Sequence, residues 1–289
     1  MTTVDTPILG PIHRRVAFAA CLALLAACSR HEPSAPPSPQ PAAAAVAPPQ
    51  ALDSKQSPEI MRAIFGTAYD ASAKSAPTTI KVDGADTSVA MTLVSAAMLP
   101  DGRVAAIVNG EPEFAAHGSA GILNVYLLRR TQNGWTVVQR HTNAAQLGPF
   151  GNIGSATWAA LGTGRPGFIL SWGDMGQGYS IDLADVFEIG NGILHRGQFK
   201  EGSSNGGVCT PEEKECWTVE GRMRLAPDVQ PNGYRDVLID FTGKRYTVSA
   251  NANGPDVEHV LANVRQTARY RFDGKSYVLA DGTNPAPDI

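Results

Sequence analysis

Short runs of β-branched and aromatic residues alternate with glycine-containing turns along most of the chain. Three hairpins are predicted, with turns at Asn133-Gly134, Asn191-Gly192 and Asp273-Gly274. Asn-Gly and Asp-Gly between such runs are strong hairpin signals, because both turn positions favour positive φ. The pattern therefore predicts a mainly β domain built from antiparallel strands.

Each predicted hairpin is preceded by one further β-rich run, beginning at Ala105, Phe168 and Val237. The similar intervals between these runs indicate three degenerate copies of a strand, a variable loop and a hairpin. A meander of this kind predicts a propeller-like or strongly curved sheet. The copies resemble the integrin-type propeller repeats of extracellular bacterial proteins, but the acidic calcium loop Asp-x-Asp-x-Asp-Gly is missing, so no calcium site is predicted.

Two short helices are predicted beside the strands. Ser57-Pro58-Glu59 can open the first, because serine caps, proline fits the first turn and glutamate suits the positive helix end. Gly66 suits its end. A second helix is predicted after Gly254-Pro255-Asp256, because Val257, Val260, Leu261 and Val264 follow an i, i+3, i+4, i+7 spacing.

The N-terminal residues have the layout of a secretory signal. Arg14-Arg15 precede an apolar stretch from Val16, which is too short to cross a bilayer and ends at polar Ser29. The closing tetrapeptide Leu25-Ala26-Ala27-Cys28 resembles the lipobox of bacterial lipoproteins. The resemblance implies cleavage before Cys28, which would become the first residue and carry lipid, palmitate included.

This resemblance gives the expected cellular location and domain organisation. Ser29 is not the aspartate that typically retains such proteins in the inner membrane, so we expect an outer-membrane lipoprotein facing the periplasm. Residues 1–27 are then the signal peptide and 28–56 the lipidated cysteine with a Pro/Ala-rich tether, which favours extended conformations. Residues 57–282 form a single β-rich domain and 283–289 a flexible tail.

Cys209 and Cys216 are the cysteines left after Cys21 leaves with the signal and Cys28 takes lipid. In an oxidising exported compartment, a pair separated by a short polar turn predicts a disulfide. A zinc site would need further cysteine or histidine ligands nearby, and the nearest histidine in sequence is His195. No metal and no cofactor are predicted.

The formal charge of −3 is mild and mixed. Without clustered Lys and Arg, the sequence predicts no nucleic-acid partner. The chain contains no His-Glu-x-x-His, Gly-x-Ser-x-Gly or phosphate-loop motif, so no catalytic residue is assigned and the enzyme question stays open, with binding favoured.

The stretch Ser171–Tyr179 is the best candidate for a binding site. Its glycines free the backbone, and Trp172 and Tyr179 bracket Asp174 and Gln177. Aromatic faces with an acid and an amide suit sugars or peptide backbones. We expect these four side chains to face a concavity with His195 or the acids of the third copy, Asp236 and Asp240, nearby; a glycine-rich strand connection with packed aromatics is the alternative.

Two functions of different classes follow. The first is a lipid-anchored envelope protein that binds a glycan, a peptide or another envelope protein and reaches the membrane through the lipid on Cys28. The alternative is an envelope hydrolase using paired carboxylates. Its candidate acids are Asp174, Asp182, Asp236 and Asp240, and their meeting in one cleft would favour hydrolysis.

Overall fold

Two antiparallel sheets of six and eight strands stack against each other in the computed structural model, which describes residues 47–289. One α-helix, α1 (Ser57–Phe65), accompanies them. The strands are β1 (Gln50–Ala51), β2 (Ser75–Val82), β3 (Ala85–Met98), β4 (Val104–Pro112), β5 (Gly121–Thr131), β6 (Gly134–Leu147), β7 (Ser155–Gly162), β8 (Arg165–Gly176), β9 (Tyr179–Ile189), β10 (Ile193–Ser204), β11 (Cys216–Val229), β12 (Arg235–Ser249), β13 (Val257–Phe272) and β14 (Tyr277–Asp281).

The predicted hairpin copies exist as strand triplets. β4, β5 and β6 pair in sequence in the six-stranded sheet, whose order is β1-β3-β4-β5-β6 with β2 also on β3. The triplets β8-β9-β10 and β12-β13-β14 lie in the eight-stranded sheet, which runs without interruption from β14 to β7. β11 joins these two triplets through hydrogen bonds to β10 and β12.

Neither sheet is closed or strongly curled, so the propeller-like or strongly curved arrangement is not what forms. A propeller keeps its repeats as separate blades. Here the edge strand of one triplet pairs onward through β11, which merges two copies into one open sheet.

The hairpin turns differ in detail from the expected geometry. Gly134 and Gly274 have φ of 110° and 108°, but only the glycine of each pair is positive. Both central residues are positive at Asp83-Gly84, with φ of 49° and 85°. That turn joins β2 to β3 and was missed from the sequence, although it is itself an Asp-Gly pair.

Residues 47–289 contain the first predicted helix but not the second. α1 has Pro58 in its first turn and ends at Gly66, whose φ is 60°. The segment after Gly254 is instead β13, paired with β12 from Val257 to Tyr270. The helical spacing of its apolar residues was misleading, because pairing with a long neighbouring strand outweighs a weak local preference.

The core lies in three layers. One cluster fills the space between the sheets, with Ile107 from one side and Phe187 from the other. A second lies under α1, where Ile60 and Ile64 pack on Ala106 and related side chains. Because successive strand residues point to opposite faces, β4 serves both clusters and is buried along both faces.

The third cluster covers the opposite face of the eight-stranded sheet and includes Val186 and Phe241. The C-terminal residues, expected as a flexible tail, are held here: Ala286 is buried, Asn284 donates to the Lys200 carbonyl, and Ser203 donates to the Pro287 carbonyl. At the other end, Gln50 already pairs with Met98, so the sheet begins before the predicted domain start at 57.

Candidate functional site

The predicted stretch Ser171–Tyr179 forms the distal end of the β8–β9 hairpin. Gly176 pairs with Tyr179 across a two-residue turn at Gln177-Gly178, where φ is 51° and 82°. Positive φ at both positions matches the right-handed twist of the flanking strands. The glycines therefore shape a tight hairpin end rather than a long loop.

Three of the four predicted side chains line one concavity. Asp174, Gln177 and Tyr179 surround a space of about 570 Å³ together with His117, Gly176 and the C-terminal Ile289. His117 comes from the β4–β5 connection, far away in sequence. The neighbours expected at this position were His195 or the acids Asp236 and Asp240, and none of these three residues lines the concavity.

The His117 and Asp174 side chains form a hydrogen-bonded pair, with Nε2 and Oδ1 2.5 Å apart. Asp174 also accepts from the Met175 amide at 2.7 Å. The hydrogen bond from His117 holds the pKa of Asp174 below its usual value, even though partial burial opposes this. An ionised carboxylate and an imidazole nitrogen thus stand at the edge of the concavity.

Phe150 packs against the ring of His117 and helps to orient it. Its ring stacks on His117 with centroids 4.8 Å apart and planes 14° from parallel, and its amide donates to the His117 carbonyl. Phe150 has a φ of 53°, which is unusual for a bulky side chain. Phe114, three residues before His117, also has a positive φ of 63° and is almost fully exposed.

Buried Asn109 fixes the β6–β7 loop that carries Phe150. Its Nδ2 donates to the Gly151 carbonyl at 2.9 Å, and its Oδ1 accepts from the Ile153 amide at 3.1 Å. Gly151 needs its φ of 70° and has no room for a side chain, because a Cβ would lie 2.9 Å from Ala115 and Glu111. The two loops therefore pack tightly and hold the His117–Phe150 stack.

Trp172 lies apart from this concavity. It is partly buried and packs on the core between the sheets. Its Nε1 donates to Asp185 at 2.8 Å, and the fully buried Asp185 also binds His195 at 2.7 Å and Gln198. Trp172 and His195 are thus linked through a carboxylate inside the fold and not across the concavity, where both were expected.

The candidate hydrolytic acids do not meet in one cleft. Asp182 pairs with Gly173 in the β8–β9 register. Since neighbouring strand residues face opposite sides, Asp182 points away from the Asp174 face. It lines a separate depression with Glu201 and Glu220, while Asp240 is bound to Arg224 elsewhere.

The glycine positions explain how Asp182 fits there. A Cβ at Gly173 would lie 2.8 Å from Asp182 Oδ1, and one at Gly202 would lie 3.1 Å from Oδ2. Burial raises the pKa of neighbouring Glu201, and the charge of Asp182 adds to this effect. Sequence reasoning missed Glu201 and Glu220, because only the β9–β10 and β10–β11 registers bring them to Asp182.

The disulfide expected from the cysteine pair is present. Cys209 and Cys216 are bonded, with Cα atoms 5.7 Å apart, at the start of β11. Cys28 lies outside the described residues. Within residues 47–289, no group of three or more His, Cys, Asp or Glu is arranged to hold a metal ion.

No helix in the described part of the chain is long and apolar enough to cross a bilayer. No protein-family model, curated protein or solved structure matches the sequence.

Proposed function

We propose that the protein is a lipid-anchored component of the bacterial envelope, attached to the outer membrane through Cys28 and facing the periplasm. The support is the Leu25-Ala26-Ala27-Cys28 sequence after a short apolar stretch. The disulfide between Cys209 and Cys216 fits an oxidising compartment.

Replacing Cys28 by alanine tests the anchor. Several acyl chains on one residue give stable membrane attachment, so the substitution should move the protein from the membrane to the soluble fraction. Cys21→Ala, in the signal itself, is the matched control and should leave the distribution unchanged. If both variants stay with the membrane to the same degree, Cys28 is not the anchor.

We further propose that the anchored domain binds a ligand at the concavity formed by His117, Asp174, Gln177 and Tyr179. The observation that carries this proposal is the backbone strain at Phe150, which stacks on His117 beside Asp174. Left-handed backbone at a bulky residue costs about 1–3 kcal/mol, and such strain is concentrated at binding and catalytic sites.

The lining chemistry favours an uncharged polar ligand. Gln177 offers an amide, Tyr179 a hydroxyl, and the His117–Asp174 pair a donor and an acceptor. Exposed aromatic rings beside such groups suit the mixed polar and apolar faces of a sugar. We therefore infer an envelope glycan as the ligand, with a peptide as the other outcome.

The test uses the full chain carrying Cys28→Ala, which leaves the site intact. Binding to isolated peptidoglycan and to soluble glycan fragments is measured by sedimentation and calorimetry. Asp174→Ala and Phe150→Ala should each weaken binding about tenfold or more, whereas Asp86→Ala, an exposed acid paired with Lys81, should not. Equal affinity of all variants would remove the concavity as the site.

A hydrolase remains the second candidate, now at a different place. Glu201, with its raised pKa, beside Asp182 could form an acid–base pair of the kind that glycosidases use. Release of reducing ends from peptidoglycan by the native protein, lost in Glu201→Gln, would support it. No release above the level of Glu201→Gln would leave binding as the function.

A further inference from the structure

One edge of the eight-stranded sheet is longer than the strand that covers it. β14 pairs with β13 only at Arg269–Phe272, and the Thr283 hydroxyl then accepts from the Gln266 side chain at 2.9 Å. In the described part of the chain, no strand pairs with Val257–Arg265 on that side. This segment of β13, the β13 edge, therefore leaves backbone donors and acceptors without strand partners over about 30 Å, at about 3.3 Å a residue.

The β13 edge stands clear of the rest of the described fold. Every residue from Val257 to Asn263 is exposed, so both faces of the strand are open to solvent. Val260 and Leu261 are 53% and 59% exposed, which places aliphatic side chains beside the unpaired backbone. Native proteins commonly protect such an edge with lysine or proline, and the β13 edge contains neither. A further strand can therefore add to it without displacing a described residue.

A β-bulge in the middle of the β13 edge fixes which of its side chains share a face. Ala262 pairs with Arg245, whereas Val260 pairs with the next residue of β12, Tyr246. Leu261 is therefore an extra residue, and the alternation of the two faces shifts by one position across it.

This shift puts Glu258 and Arg265 on the same face. Glu258 lies opposite Val248 and Arg265 lies opposite Thr242, and these two partners are an even number of residues apart along β12. Glu258 is bound to Lys244 on that face, whereas Arg265 takes part in no ion pair of the described residues. The β13 edge thus carries an acid near one end and a base near the other.

The two charges are placed symmetrically. Without the extra residue Leu261, Glu258 and Arg265 lie equally far from Ala262, three positions to either side. If two copies of the β13 edge pair antiparallel about Ala262, Glu258 of each copy lies opposite Arg265 of the other. Both cross-strand pairs then join opposite charges on one face, which stabilises antiparallel strands.

We propose that the β13 edge joins two copies of this chain by antiparallel strand pairing, so that their eight-stranded sheets become continuous. The backbone groups supply the hydrogen bonds, as in other cases of strand addition to a sheet edge, and the two Glu258–Arg265 pairs select the register. The arrangement is two-fold symmetric and occupies the β13 edge of both copies, so association stops at two.

Analytical ultracentrifugation of the full chain carrying Cys28→Ala tests this pairing. Because this chain cannot be lipidated at Cys28, the result does not depend on whether the anchor proposal holds. The mean mass should rise with concentration from one copy to two and no further. Hydrogen exchange in residues 257–265 should slow as the dimer forms, because strand pairing protects the edge amides.

Charge reversal tests the register. Arg265→Glu places acid opposite acid in both cross-strand pairs, and Glu258→Arg places base opposite base. Each variant alone should raise the dissociation constant of the dimer about tenfold or more. When the two variants are mixed in equal amounts, they should pair with each other to within about threefold of the parent, because every cross-strand pair again joins opposite charges.

The control Arg222→Glu makes the same charge change on β11, two strands away from the β13 edge. It should change the dissociation constant less than about threefold, because the exposed charge is then screened from the contact. Asp174→Ala, in the glycan site, should dimerise like the parent. Unchanged thermal midpoints would show that all variants are folded.

Three results would overturn the proposal. They are a single-copy mass of the parent at every concentration, an equal loss of pairing in Arg222→Glu, and a mixture of the two charge variants that fails to pair. The first result would leave the β13 edge to a strand of another protein, and the other two would place the contact between copies elsewhere. None of these results would bear on glycan binding at the concavity.

Discussion

Glu188 holds the most connected polar network of the fold, and its removal gives a sharp prediction. Its Oε1 accepts from Arg165 at 3.2 Å, and its Oε2 accepts from Arg196 and from the Tyr234 hydroxyl, each at 2.7 Å. The Arg165 guanidinium also lies over the Tyr234 ring, 4.2 Å from its centroid. One carboxylate thus joins β8, β9, β10 and the segment before β12.

The expected loss of stability on removing Glu188 follows from how deeply Glu188 and its partners are buried. The side chain of Glu188 is 8% exposed and that of Arg196 is 16% exposed, whereas Arg165 is 37% exposed. Removing one partner of a buried pair costs about 3–5 kcal/mol. Because Arg165 can turn to solvent, we expect Glu188→Ala to lower the free energy of unfolding by about 3 kcal/mol, at the low end of that range.

Glu188→Gln keeps the shape of the side chain but removes its charge. We therefore expect the free energy of unfolding to fall by about 1.5–2.5 kcal/mol at pH 7. Burial raises the pKa of Glu188, but the hydrogen bonds from Tyr234 and Arg196 and the charge of Arg196 outweigh it, and the pKa lies below its ordinary value. The ionic contribution is therefore present above the unfolded-state pKa and is lost as the pH falls through the folded-state pKa.

Urea unfolding at pH 7 and at acid pH measures both effects. The difference between the parent and Glu188→Gln should shrink at acid pH. Asp86→Ala is the control, because Asp86 and Lys81 are each 68% exposed and such pairs contribute about 0–1 kcal/mol. A Glu188→Ala loss no larger than that of Asp86→Ala, or a difference that does not change with pH, would refute the reasoning.

Three further predictions concern stability and loop order. Trp172→Ala should lower the free energy of unfolding in urea by about 2–4 kcal/mol, because Trp172 packs between the sheets. Its glycan affinity should stay within about twofold of the parent, and a variant that is stable but fails to bind would contradict this. Asn109→Ala should raise hydrogen exchange in residues 148–154, which the control Asn124→Ala, at another buried asparagine, should leave protected. Replacing Cys209 and Cys216 by alanine should cost at most about 2.5 kcal/mol, with exchange rising in residues 205–215 and not in α1; a uniform rise would mean that the disulfide supports the whole domain.

The sequence by itself determined the elements whose causes are local. Asn133-Gly134 and Asp273-Gly274 marked hairpins because few residues suit those turns. The first helix was readable from Pro58 and Gly66. The Cys209–Cys216 pair needed only a short separation and an oxidising compartment.

Tertiary structure decided which strands pair and which distant residues meet. Val257–Val264 has helical spacing, yet it pairs with β12, because ladder hydrogen bonds along a long neighbour outweigh local propensity. His117 rather than His195 meets Asp174, since loop packing around Phe150 brings it there.

The same limit explains why some distant residues share a surface and some near ones do not. Arg222 and Arg265 lie far apart along the chain, and only the register of β11, β12 and β13 puts them on one surface. Asp174 and Asp182 are close in sequence, yet strand alternation turns them to opposite faces. Residue types and spacing define candidate groups, but the side of the sheet on which each one lies is set by pairing between distant segments.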